Sequence, residues 1–173
     1  MRQPNILFLF PDQLRDDWTG ANPELPLRTP NLDALNARGM RFSNAVCPSP
    51  LCAPCRASIA FGREYPRSPV SGNEDNLPSD RPTLYSHLRD ADYHTTACGK
   101  LDLNKGDCIA RRSAWGLDGQ AHLEEWGFSD GINNEGKMDG ANSGRDNPQG
   151  PYLQFLEERG LRQMHIDDFA QRT

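Results

Sequence analysis

The run Asn5 to Phe10, "NILFLF", lies between Pro4 and Pro11 and is apolar without alternation. An extended segment of that composition carries Ile, Leu or Phe on both of its faces. It suits a strand covered on both sides, as in a parallel sheet flanked by helices. The run is too short to span a membrane or to form a signal-peptide core with its cleavage site. Asp12 stands just past its carboxyl end.

The segments that follow repeat the alternation this requires. "TPNLDALNARG" reads as a helix: Thr29 caps, Pro30 suits the first turn, Leu32 and Leu35 share a face, and Gly39 ends it. A strand, "MRFSNAV", comes next. "RPTLYSHLRDADYHTTACGK" predicts a helix from about Thr83 to Ala91, with Leu84 and Leu88 on one face, and a short strand from His94 to Cys98. The fold class expected is α/β, a largely parallel sheet flanked by helices. Such sheets bind ligands beyond the carboxyl ends of their strands, where Asp12, Cys52 and Lys100 all fall.

Residues 101–150, rich in Gly, Asn and Asp, read as a long irregular excursion. "PYLQFLEERG" then predicts a short helix with Leu153, Leu156 and possibly Phe155 inward, and "HIDDFAQRT" opens another. The chain is thus expected to divide into a motif-bearing core over about 1–100, an insert over about 101–150 and a helical segment over 151–173.

A net charge of −5 on 173 residues argues against nucleic acid or an anionic membrane as partner. A hydrophobic content of 36% and a mean hydropathy of −0.76 describe a polar chain able to build one modest core. With no signal segment in the chain as it stands, the expected compartment is the cytoplasm. The five cysteines, Cys47, Cys52, Cys55, Cys98 and Cys108, are an odd number and do not suggest a disulfide scaffold.

Cys52 and Cys55 have the C-x-x-C spacing, which admits several readings. Pro54 suits a first helical turn and "CRASIAFG" a short helix ending at Gly62, so a thiol redox pair at a helix N-terminus is locally feasible. The elements before it do not follow the thioredoxin order. Zinc would need two more ligands, for which Cys47 and Cys98 are the cysteines at hand, without a second C-x-x-C. Cys55 also reads simply as a small apolar core residue.

"PLCAPCRASIAFG" resembles the sulfatase signature: a cysteine or serine, any residue, proline, any residue, arginine, then a short helix ending in glycine. Cys52, Pro54, Arg56 and Gly62 stand at those places. "PNILFLFPDQ" resembles that family's first strand and metal-binding turn, and "TPNLDALNARGMRFSNAV" its first helix and next strand. "TLYSHLRDADYHTTACGK" resembles its following helix, strand and Gly-Lys turn. The resemblance runs through about the first hundred residues and implies an alkaline phosphatase-like fold, here incomplete.

The resemblance implies a sulfuric ester hydrolase. Cys52 would be oxidised by a formylglycine-generating enzyme, and the hydrated aldehyde would attack sulfur with one hydroxyl and expel sulfate through the other. Arg56 resembles the arginine that steadies this nucleophile, and Lys100 the lysine that contacts the sulfate. Asp12 resembles the first ligand of a divalent cation, usually Ca2+, shared with the residue derived from Cys52. Gln13 takes the place where many members carry a second aspartate. Asp102 stands where a histidine is frequent, and would face substrate or cap a turn. The implied substrate is a sulfated small molecule or sugar.

The family's further cation ligands include an Asp-His or Asp-Asn pair in a later part of its chains, and none of His87, His94, His122 and His165 lies in an Asp-His pair. The chain is therefore expected to be an N-terminal part, inactive by itself. Competing expectations are a phosphonate or phosphate ester hydrolase of the same superfamily, a non-catalytic relic, and a thiol oxidoreductase acting through Cys52 and Cys55.

Overall fold

The computed structural model describes residues 3–104, 121–134, 136 and 150–172. These form two compact units, Met1–Val46 and Cys47–Thr173. Among the described residues no helix is long and apolar enough to cross a membrane.

In Met1–Val46 the one regular element is α1, Pro30–Arg38. Pro30 takes its first position, where the missing N–H costs nothing. Thr29 sits at the N-cap, but its hydroxyl is used elsewhere. It accepts from the Gly20 N–H at 2.8 Å and donates to Asp33 at 3.1 Å, so it ties the preceding loop to the first turn. Gly39 ends the helix as expected.

The expected burial of this unit is not observed. Residues 5–10 enter no strand ladder, and Leu7 and Leu9 are 82% and 66% exposed. "MRFSNAV" is likewise no strand, with Met40, Phe42 and Val46 exposed. Leu32 and Leu35 are exposed too, and α1 buries none of its residues. The reason is physical: a strand exists only against a neighbour that takes its N–H and C=O groups. Among the described residues neither run pairs with another strand.

Cys47–Thr173 holds the hydrophobic core. Helix α2, Cys52–Phe61, presents Ala53, Ala57 and Ala60, a row of small residues three and four apart. Against it lie Val70, Leu77, Ala97, Leu103, Leu123, Trp126 and Phe128. Gly62 closes α2 in the left-handed region (φ 63°), the conformation glycine adopts without penalty. Helix α3, Leu84–Asp90, begins on a capping box in which Thr83 and Ser86 satisfy each other's backbone N–H groups. Of the two leucines expected inward, Leu88 is half-buried and Leu84 is exposed, while Tyr85 packs on the core and stacks on Phe128 at 4.2 Å. The Thr83 hydroxyl also donates to the Trp126 carbonyl, which ties the start of α3 to the turn at Trp126.

Strand β1, Thr96–Gly99, falls close to its expected place. Its partner lies inside the stretch expected to be irregular, where helix α4 (Ala121–Glu125) leads into strand β2 (Asp130–Asn133). The two strands are parallel, with Thr96 opposite Asp130 and Gly99 opposite Asn133. The α/β expectation is met by this parallel pair and its helices. Gly127 makes the turn between α4 and β2 possible: its φ is 101°, and a Cβ there would come within 2.2 Å of the Ser86 backbone nitrogen. Helix α5, Pro151–Glu157, buries Leu153 and Leu156 and leaves Phe155 exposed. Helix α6 runs Arg162–Arg172.

Candidate active site

The nucleophile candidate owes its place to the start of α2. Leu51 is extended (φ −97°, ψ 145°) and Cys52 is the first helical residue. Its side chain is half-buried, whereas those of Ala53 through Ser58 are buried. Leu51 offers no side-chain cap, and two other residues do that work. The Asn73 side-chain carbonyl accepts from the Ala53 N–H at 3.1 Å, and the Ser49 hydroxyl accepts from the Leu51 N–H at 3.2 Å. Pro54 needs no acceptor in the first turn. The result is a helix N-terminus with Cys52 at its mouth; the Ala53 and Cys55 N–H groups are already bonded and Pro54 has none, so what favours an anion there is the partial positive charge of the helix end.

One turn further, Arg56 is 8% exposed, so it is a buried arginine. Its Nη1 donates to the Lys100 carbonyl at 2.5 Å, which joins α2 to the residue that follows β1. Lys100 Nζ in turn lies 3.3 Å from Asp102 Oδ2, with little of either side chain exposed. Asp102 adopts φ 52°, a left-handed conformation that aspartate tolerates better than most residues. From the neighbouring strand, Asn133 accepts the Leu101 N–H at 3.2 Å. The carboxyl ends of both parallel strands therefore meet the segment that carries Lys100. Arg56, Lys100 and Asp102 form one connected group, and Asp102 acts on the lysine.

The C-x-x-C spacing does not produce a thiol pair. Cys55 points into the protein, 6% exposed, and its sulfur lies 3.1 Å from that of Cys47. Burial pushes its thiol up to about 11, helped by the hydrogen bond and charge of Cys47, with Arg56 and the Ser49 backbone pulling the other way. A thiol so raised is a poor attacking group at neutral pH. Cys98 is exposed on β1, and Cys108 lies outside the described residues, as does much of the expected insert.

In Met1–Val46, Asp12 and Gln13 form a turn directly after the apolar run. Both are exposed, and Gln13 has φ 56°. Among the described residues no group of three or more His, Cys, Asp or Glu is placed to hold a metal ion. Calcium takes six or more oxygens, so the described residues do not by themselves fit such a site.

Two contributors carried no signal in the sequence: Asn73 caps α2 from a turn 20 residues along the chain, and Asn133 belongs to a strand of unpromising composition. Both depend on contacts distant in sequence, whereas Cys47, at hand in the sequence as a possible metal ligand, meets Cys55 instead.

Comparison with known proteins extends the same segment. A family model described as Sulfatase matches residues 4–163. The choline-sulfatase of Rhizobium meliloti is 42% identical over 99 residues, which are 57% of this chain and 19% of that protein. An uncharacterized sulfatase of Escherichia coli is 33% identical over 132 residues, 72% of this chain and 27% of its own. Human arylsulfatase A is 35% identical over 111 residues, 61% and 22% respectively. The chain thus spans between about a fifth and a quarter of the length of the curated relatives it matches. With a match that runs through the segments holding Asp12, Cys52, Arg56 and Lys100, the chain belongs to the sulfatase family.

Proposed function

We propose that the chain carries part of the catalytic apparatus of a sulfuric ester hydrolase, with Cys52, converted to formylglycine, as its nucleophile. The observation that carries this reading is the position of Cys52: first residue of α2, half-buried, at the mouth of a helix N-terminus. The converted residue supplies paired hydroxyls, one to attack sulfur and one to release the sulfate.

The chain's own residues bind and orient. The helix N-terminus attracts the sulfate oxygens. Arg56, buried and held by the Lys100 carbonyl, places a fixed positive charge one turn behind the nucleophile. Lys100 offers its ammonium to the sulfate, and the buried Asp102 limits where that ammonium can go. Asp12 and Gln13, in the turn after the apolar run, are proposed on the family match as ligands of a divalent cation, Ca2+. The partners proposed are a sulfated small molecule or sugar and a formylglycine-generating enzyme. The relatives' names, choline-sulfatase, arylsulfatase A and an ulvan-active sulfatase among them, point to different substrates, so none is carried over.

The test offers matched aryl sulfate and aryl phosphate, with calcium, to two proteins. One is the 173-residue chain alone; the other is the choline-sulfatase with this chain's residues 4–104 in place of its own matching segment. The chain alone is expected to turn over neither. The chimera is expected to cleave the sulfate faster, and Cys52→Ala to lower that rate by about 1,000-fold or more. Turnover indifferent to Cys52 would contradict the reading, and a preference for phosphate would favour a phosphate or phosphonate ester hydrolase.

A further inference from the structure

Among the described residues, the thiols of Cys47 and Cys55 form a cluster that the proposed hydrolysis does not use. We propose that they are a modification site: a pair that closes to a disulfide by exchange with an oxidised low-molecular-weight disulfide, such as oxidised glutathione, and leaves Cys52 as a thiol. The pairing itself does not depend on what Cys52 does.

The geometry selects this pair out of the three cysteines in the segment. The Cys47 and Cys55 sulfurs are 3.1 Å apart, about 1 Å from bonding distance, so closure needs only a small side-chain movement. Cys52 has no thiol contact of this kind among the described residues. The two partners also differ in access, which assigns their order of reaction. Cys47 is exposed and can meet a dissolved disulfide; Cys55 is buried on α2 and cannot.

The exchange balances without any other reagent. The Cys47 thiolate attacks one sulfur of oxidised glutathione, the glutathione S–S bond breaks, and one glutathione thiolate leaves. Cys55 gives its proton to solvent and attacks the Cys47 sulfur of the mixed disulfide, expelling the second glutathione as thiolate. Two protein thiols are oxidised and one glutathione disulfide is reduced to two thiols. The second step is the slow one, because burial holds the proton on Cys55.

Closure would tie the segment Pro48 to Leu51 to the first turn of α2. That segment already carries the Ser49 hydroxyl bond to the Leu51 N–H and the Leu51 carbonyl that receives the Cys55 N–H at 3.1 Å. It would also occupy Cys55, the only cysteine at C-x-x-C spacing from Cys52, and so keep Cys52 out of disulfides.

The experiment equilibrates the full 173-residue chain with glutathione at an oxidising ratio and alkylates free thiols with iodoacetamide. After reduction, N-ethylmaleimide marks the thiols that were in disulfides. The tryptic peptide Phe42 to Arg56 contains all three cysteines. The expected pattern is acetamide on Cys52 and maleimide on both Cys47 and Cys55. In Cys55→Ser, Cys47 is expected to stop as the glutathione mixed disulfide, and in Cys52→Ser the loop is expected to close as before. Maleimide on Cys52 together with either neighbour, or acetamide on all three, would overturn the proposal.

Discussion

In Met1–Val46 the large apolar side chains face outward; in Cys47–Thr173 they meet one another. Both begin from the same kind of material, an apolar or small-residue stretch beside a helix. The difference is supply of partners. Residues 5–10 would need neighbouring strands to cover them, and within Met1–Val46 the one regular element is α1. Helix α2 needs only its alanine row, a loop through Val70 and Leu77, and the Leu123–Phe128 turn, all within its own unit. A hydrophobic pattern states what must be covered, while burial depends on what is available to cover it.

The strongest way to break this comparison is to remove one large side chain from each unit. Trp126→Ala takes a side chain 1% exposed out of the core, and the loss expected is about 3–5 kcal/mol in urea unfolding followed by hydrogen exchange in β1 and α2. Leu7→Ser, at a side chain 82% exposed, is expected to change stability by less than about 0.5 kcal/mol. Comparable losses for the two variants would remove the distinction between the units.

A smaller effect sharpens the site. Asp102→Asn keeps a residue that tolerates φ 52° but leaves Lys100 without its carboxylate. The expected cost is roughly 2–3 kcal/mol, below the range for a fully buried pair because Lys100 retains some contact with water. An unchanged melting curve would mean that Asp102 does not hold Lys100 in place.

The smallest expected effect is a pH slope. The folded Cys55 thiol holds its proton up to about pH 11, against 9.0 for an ordinary cysteine, so folding favours the protonated form. That stabilisation is complete below pH 9 and is lost as pH rises from 9 towards 11. Cys55→Ala should flatten the decline in stability over this window, whereas an equally steep decline in the variant would assign it to other groups.

These contrasts also explain what was legible in the sequence. Helix α2 could be read to its ends because its signals are local: Cys52 and Pro54 in the first turn, Gly62 at the stop. The ends of α1, the place of β1 and the inward Leu153 and Leu156 followed for the same reason. Strand β2 could not be read, because "DGIN" lacks the branched and aromatic residues that mark strands and owes its form to β1 alongside it. On α3 the spacing marks Leu88 but not the exposure of Leu84 or the burial of Thr83 and Ser86, polar residues that turn inward to satisfy each other while Thr83 donates to the Trp126 carbonyl. In the site, Cys52 and Arg56 were placed by motif. Their supports, Asn73, the Lys100 carbonyl and Asp102 as partner of Lys100, arise from folding and leave no mark in residue spacing.

Whether Cys52 alone among its neighbours is converted to formylglycine is read directly by one mass measurement. The chain is produced together with a formylglycine-generating enzyme, reduced, alkylated and digested, and the peptide Phe42 to Arg56 is fragmented. The account predicts an aldehyde at Cys52 with alkylated thiols at Cys47 and Cys55. An alkylated thiol at Cys52, from an enzyme that converts a control sulfatase peptide in the same cells, would contradict it.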